Sequence, residues 1–66
     1  MREKSITARQ HEIALLVSRG CTNPEIGAML GISVNAVKKH VSRLLDVLHA
    51  SNRTELAAIL TRAEAA

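Results

Sequence analysis

Thr7, Thr22, Ser33 and Asn52 each stand where a helix can begin, and Gly20 and Gly31 stand where one must stop. Short oxygen-bearing side chains accept from the unpaired N–H groups of a first helical turn. Glycine adopts the left-handed conformation that closes a last turn. These signals cut the chain into four short helical stretches. The first runs from about 8 to 19, with Gln10 placed to complete a capping box with Thr7. Ile13, Leu16 and Val17 share one face of it, Leu15 lies beside them, and Gly20 ends it. The second covers about 23–30. It opens with a T-x-x-E box (Thr22, Glu25) and carries Pro24 in its first turn, where a missing N–H costs nothing. Ile26, Met29 and Leu30 form its apolar stripe and are expected in the core. Gly27 inside it costs roughly 1 kcal/mol against alanine, a choice that implies close approach of a neighbouring helix. The third covers about 34–48, with Val34, Val37, Val41, Leu44, Leu45 and Leu48 at spacings of three and four. The fourth covers about 53–63, with Asn52 as cap and Leu56, Ile59, Leu60 and Ala63 facing inward. The expected fold is all-α: one compact four-helix domain over 1–66.

Composition narrows the function. A chain of 66 residues without Phe, Tyr or Trp barely encloses one core, so no enzyme with a buried catalytic cavity is expected. A single Cys cannot form an internal disulfide, which points to a cytoplasmic rather than a secreted scaffold. The longest apolar run, Ile13 to Val17, is far short of a membrane span. His11, His40 and His49 share no ligand spacing with Cys21, and no Ser/His/acid set is discernible, so neither metal nor cofactor is expected. A net charge of +3 favours an acidic partner, with nucleic acid first.

The second and third helices, joined by Gly31-Ile32-Ser33, describe a helix-turn-helix. Gly27 lets the later helix cross the earlier one. The outer face of the third helix then holds Asn35, Lys38, Lys39, Ser42 and Arg43. Between Ser33 and Leu45 there are three cations and no acid. Such a face suits the major groove of duplex DNA: lysine donates to guanine O6 and N7, asparagine pairs with adenine, and Arg43 reaches a phosphate. The start of the second helix, at Thr22 and Asn23, is a natural phosphate seat. Glu12 and Arg53 lie on helices that should meet, and a salt bridge between them is expected.

These residues resemble the DNA-binding domain of LuxR/FixJ-type (GerE-like) bacterial transcription regulators. That family reads roughly L-T-x-R-E-x-E-V-L, G-x-S-N-K-E-I-A, L-x-I-S-x-x-T-V-K-x-H and K-L-x-V-x-N-R-T-E. The matching stretches are Ile6-Thr7-Ala8-Arg9-Gln10-His11-Glu12-Ile13 and Gly20-Cys21-Thr22-Asn23-Pro24-Glu25-Ile26-Gly27. After them come Leu30-Gly31-Ile32-Ser33-Val34-Asn35-Ala36-Val37-Lys38-Lys39-His40 and Leu48-His49-Ala50-Ser51-Asn52-Arg53-Thr54-Glu55. Four motifs in register cover nearly the whole chain.

The resemblance implies that Lys38, Lys39 and Ser42 point at bases, and that Asn35 and His40 lie near backbone or flanking bases. The helical wheel instead puts His40 on the far flank. The resemblance also implies a homodimer through the fourth helix, whose outer side offers Ala57, Ala58, Thr61, Arg62 and Ala65. Gln10, Pro24, Ala36, Ser42 and Val47 depart from the pattern and thin its polar and basic face. Binding weaker and more salt-sensitive than a richer basic face would give is therefore expected. With about four phosphates neutralised per monomer, log K should fall against log salt with a slope of about −3.6. The chain contains no receiver or ligand-sensing domain, so any switching signal is expected from outside these residues. The rival expectation is a protein-interaction module of the same fold, docking on RNA polymerase or a regulator; an exposed Val47 would favour it.

Overall fold

A computed structural model of the chain describes residues 6–65, with side chains described for 6–63. It contains α1 (Ala8–Ser18), α2 (Asn23–Leu30), α3 (Val34–Val47) and α4 (Arg53–Ala65), and no strand among the described residues. The all-α, four-helix expectation holds, and each boundary lies within two residues of the sequence reading.

The boundaries are legible because each start is made by a local hydrogen bond. The N–H of Gln10 donates to Thr7 Oγ1 (3.1 Å), and that of Thr7 to Gln10 Oε1 (3.0 Å). Thr22 and Glu25 repeat the reciprocal box at 3.3 and 2.7 Å. Ser33 Oγ accepts from the N–H of Ala36 (3.0 Å) and Asn52 Oδ1 from that of Glu55 (2.8 Å). Glu55 also accepts from the Ser51 N–H. Hydrogen bonding from Ser51, backbone first and then side chain, holds the Glu55 carboxyl below its ordinary range, with Arg62 adding a smaller attraction.

Two helices stop in the same way. After α1, Gly20 turns left-handed (φ 86°). Its N–H then reaches Val17 O (3.0 Å) and that of Cys21 reaches Leu16 O (3.1 Å). After α3 the same pair of bonds runs from His49 to Asp46 O (3.3 Å) and from Ala50 to Leu45 O (2.9 Å). This double bond is the Schellman closure. At α3 a histidine holds the left-handed position, φ 54°, at a cost of about 1 kcal/mol relative to glycine.

Ile13, Ala14, Val17, Ile26, Val37, Val41, Leu44 and Leu56 form the core. α1 packs against α4 and α3, α2 against α3, and α3 touches α4. Aliphatic side chains alone fill this centre, and no buried polar side chain is present among the described residues.

Five expectations about which residues face inward or outward are overturned. Met29 is 63 % exposed and Val34 38 %. In α2 the buried side is that of Ile26 and Gly27, with Leu30 half-buried. At about 100° per residue Met29 falls outside that sector. On α4, Ala57 packs against the core beside Leu56 and Leu60, so it is not on the outer side. Ala63 is exposed, while Ile59 is half-buried and lies outside the core cluster. α2 has turned toward Gly27, where the backbone of the following turn comes closest, and α4 toward Leu56, which is fully buried.

Candidate nucleic-acid interface

The α2–α3 turn sets the position of α3. Gly31 takes the left-handed conformation (φ 70°), and the N–H of Ile32 donates to Gly27 O (3.0 Å). A Cβ at Gly27 would stand 2.8 Å from Ile32 O. Only a residue without a side chain lets the turn fold back this tightly, so α3 starts directly against α2.

α3 then buries Val37, Val41 and Leu44. The opposite side is set by the same periodicity: Asn35, Lys38, Lys39, Ser42 and Arg43 are all exposed. The structure thus brings together on one exposed side five of the six residues proposed from sequence on α3. Fourteen residues give α3 a length of about 21 Å, and a major groove of about 12 Å admits one helix. Asp46, also exposed, is the first acid along α3. His40 is half-buried, in keeping with its place on the flank. Val47 is half-buried rather than exposed.

The start of α2 differs from expectation. The Thr22 N–H is not free, since it donates to the Glu25 carboxylate. The Glu25 N–H is taken by Thr22 Oγ1, and that of Ile26 donates to Thr22 O. Pro24 has no N–H to offer. The capping box therefore consumes most first-turn donors and places a carboxylate beside them.

The Asn23 side chain is also engaged. Its Oδ1 accepts from Arg53 Nη1 (2.6 Å), and Arg53 Nη2 donates to Cys21 O. The expected Glu12–Arg53 bridge is absent: Glu12 pairs with Arg9 at 3.2 Å. Arg53 instead ties the start of α4 to the loop ahead of α2. Sequence inspection missed this because the acceptors lie 30 and 32 residues away, and one of them is a backbone carbonyl that no residue type advertises.

Arg53→Ala is expected to lower stability by about 1–2 kcal/mol, the scale of a charge-assisted pair at a half-buried site. Arg53→Lys should recover only part, because an ammonium group lacks the planar fork that spans two acceptors. Urea denaturation of the three proteins checks this, and equal midpoints would refute it.

On α4, Ala58, Thr61 and Arg62 are exposed as expected, and the Ala65 side chain lies outside the described residues. Among the described residues no three His, Cys, Asp or Glu side chains converge in a metal-binding group. No described helix is long and apolar enough to cross a membrane.

Comparison with known proteins places this geometry in context. The model of the GerE family, bacterial regulatory proteins of the luxR family, matches residues 4–60. The two-component response regulator PprB of Pseudomonas aeruginosa is 47 % identical over 58 residues, which is 88 % of this chain and 21 % of that protein. The transcriptional regulatory protein LiaR of Bacillus subtilis is 43 % identical over 54 residues, covering 82 % of this chain and 26 % of LiaR. The response regulator protein VraR of Staphylococcus aureus is 40 % identical over 50 residues, covering 76 % and 24 %. The chain thus spans about a quarter or less of the length of these curated relatives.

Proposed function

Because the chain belongs to the luxR family of bacterial regulatory proteins, a family of DNA-binding transcription regulators, we propose that it reads duplex DNA sequence-specifically by laying α3 in the major groove. The observation that carries this reading is the exposed row of Asn35, Lys38, Lys39, Ser42 and Arg43 on a helix held out by the Gly27 turn. Lys38, Lys39 and Ser42 face base edges. Asn35 contacts a flanking base, Arg43 a phosphate, and His40 the backbone at the margin. Thr22 contributes its hydroxyl and Asn23 its N–H to one further phosphate. The mechanism is positional: caps and core hold α3 rigid, phosphate contacts set its register, and two or three side chains discriminate.

The rest of the reading follows from that target. Residues 1–66 are a single helix-turn-helix module. Two copies pair through α4, using Ala58, Thr61 and Arg62 with Ile59 in place of Ala57, so that two reading helices lie about 34 Å apart. The module works in the bacterial cytoplasm without a cofactor and performs no catalysis. Docking on RNA polymerase through α3 or α4 is the weaker reading, since Val47, which would have favoured it, is half-buried.

Selection of random duplexes by the purified chain, set beside the Lys38→Ala, Lys39→Ala variant, tests the proposal. The variant should stay folded, lose its sequence preference and bind at least tenfold more weakly. Arg43→Ala, which removes a phosphate contact instead, should make the salt slope shallower by about one. A preference identical to that of the parent chain would discard the reading face.

A further inference from the structure

We propose that Val34 is a further specificity-determining residue of this interface, and that its methyl groups contact the C5-methyl of a thymine beside the base pair read by Lys38. This rests on the reading of α3 as the recognition helix and adds to it a residue whose pattern placed it in the core.

Four valines punctuate α3, and two of them lie in the core as the periodicity demands: Val37 is fully buried and Val41 is 7 % exposed. Val34 is 38 % exposed and stands outside the apolar cluster. The cause lies in the turn. At the crossing it is main chain that meets Gly27: a Cβ there would stand 2.8 Å from Ile32 O and 3.7 Å from the Val34 nitrogen. The chain is already close-packed there through its main chain, and the side chain is left to the outside.

Where it points matters for recognition. Ser33 caps α3, so Val34 is its first residue. The first turns of a recognition helix are the part that meets base edges. Val34 is one turn before Lys38, about 40° from it around the helix, and so belongs to the same edge of the reading face. A branched side chain in a helix holds essentially one rotamer, so docking it costs little conformational entropy. In the major groove the thymine methyl is the apolar feature a valine can match. Lys38 meanwhile seeks guanine, and Asn35, next along the chain, seeks adenine. The recognised half-site should therefore place a T·A pair immediately beside the G·C pair read by Lys38.

The test uses the best duplex emerging from selection with the intact chain. Each thymine in turn is replaced by deoxyuridine, which deletes the methyl and leaves every hydrogen-bonding group in place. One position per half-site should weaken binding about threefold to fivefold, the worth of one buried methyl group. The same replacement should change the affinity of Val34→Ala less than twofold. Selection with Val34→Ala should lose the thymine while keeping the guanine. Val34 stands outside the core cluster and alanine has the higher helix propensity, so the denaturation midpoint of that variant should shift little, which separates recognition from folding. A deoxyuridine series without effect on the intact chain, or one that penalises Val34→Ala equally, overturns the proposal. Failure of Lys38→Ala, Lys39→Ala to alter preference would instead overturn the recognition-helix reading beneath it.

Discussion

Leu44→Ala is expected to leave the chain largely unfolded at room temperature. Leu44 is fully buried on α3, the helix that contacts each of the other three. Truncating such a leucine costs about 2–5 kcal/mol, because the lost transfer free energy adds to that of the cavity left behind. A domain this small rarely holds more than about 3–5 kcal/mol in total. The core contains no aromatic side chain able to swing into the gap. Far-UV circular dichroism against urea reads the result directly: the parent should show a folded baseline and the variant little or none. Leu45→Ala, at a half-buried neighbouring position, should keep a clear transition. A Leu44→Ala midpoint close to that of Leu45→Ala would show that the core does not depend on Leu44.

Gly27→Ala opposes two principles whose signs differ. Helix propensity alone favours alanine by about 1 kcal/mol. The new Cβ, however, would meet Ile32 O at 2.8 Å and approach Ser33 C and Val34 N at 3.7 Å. These are backbone atoms, which cannot swing aside as the tip of a side chain can. The Ile32 N–H already donates to Gly27 O, and Ser33 already caps α3. Overpacking of this kind costs about 1–3 kcal/mol, and with immobile neighbours the upper part of that range applies. The net expectation is a loss of about 2 kcal/mol. The strain is relieved by moving α3 relative to α2, so duplex affinity should fall further than the unfolded fraction accounts for. Denaturation combined with binding at a temperature where the variant stays folded separates the two effects. An alanine variant as stable as the parent would mean that the turn is looser than its geometry indicates.

Both variants bear on the same division of labour between local and distant interactions. Helix starts at Thr7, Thr22, Ser33 and Asn52 depend on residues three positions away, so they are written within a single turn of sequence. The polar face of α3 is equally local, because fourteen residues with a clean stripe allow only one side to be buried. The exposure of Asn35, Lys38, Lys39, Ser42 and Arg43 followed from that stripe.

The rotation of α2 and α4 about their own axes was not determined in this way. Each carries apolar residues on more than one side, and a helix with Ile26, Met29 and Leu30, or Leu56, Ile59 and Leu60, has several faces it could bury. The choice fell to distant chain, which comes up to Gly27 through the α2–α3 turn and packs against Leu56, Ala57 and Leu60, and so Met29 and Ile59 lie outside the core cluster. Arg53 likewise had a plausible carboxylate partner in Glu12, yet it settled on Asn23 and on the Cys21 carbonyl. Amino-acid order alone settled where helices begin and end and which side of α3 is wet, since those depend on neighbours along the chain. Tertiary structure decided which side of α2 and of α4 is dry, what Arg53 holds and that Val34 stands outside, since those depend on backbones meeting across distances in sequence that no local pattern spans.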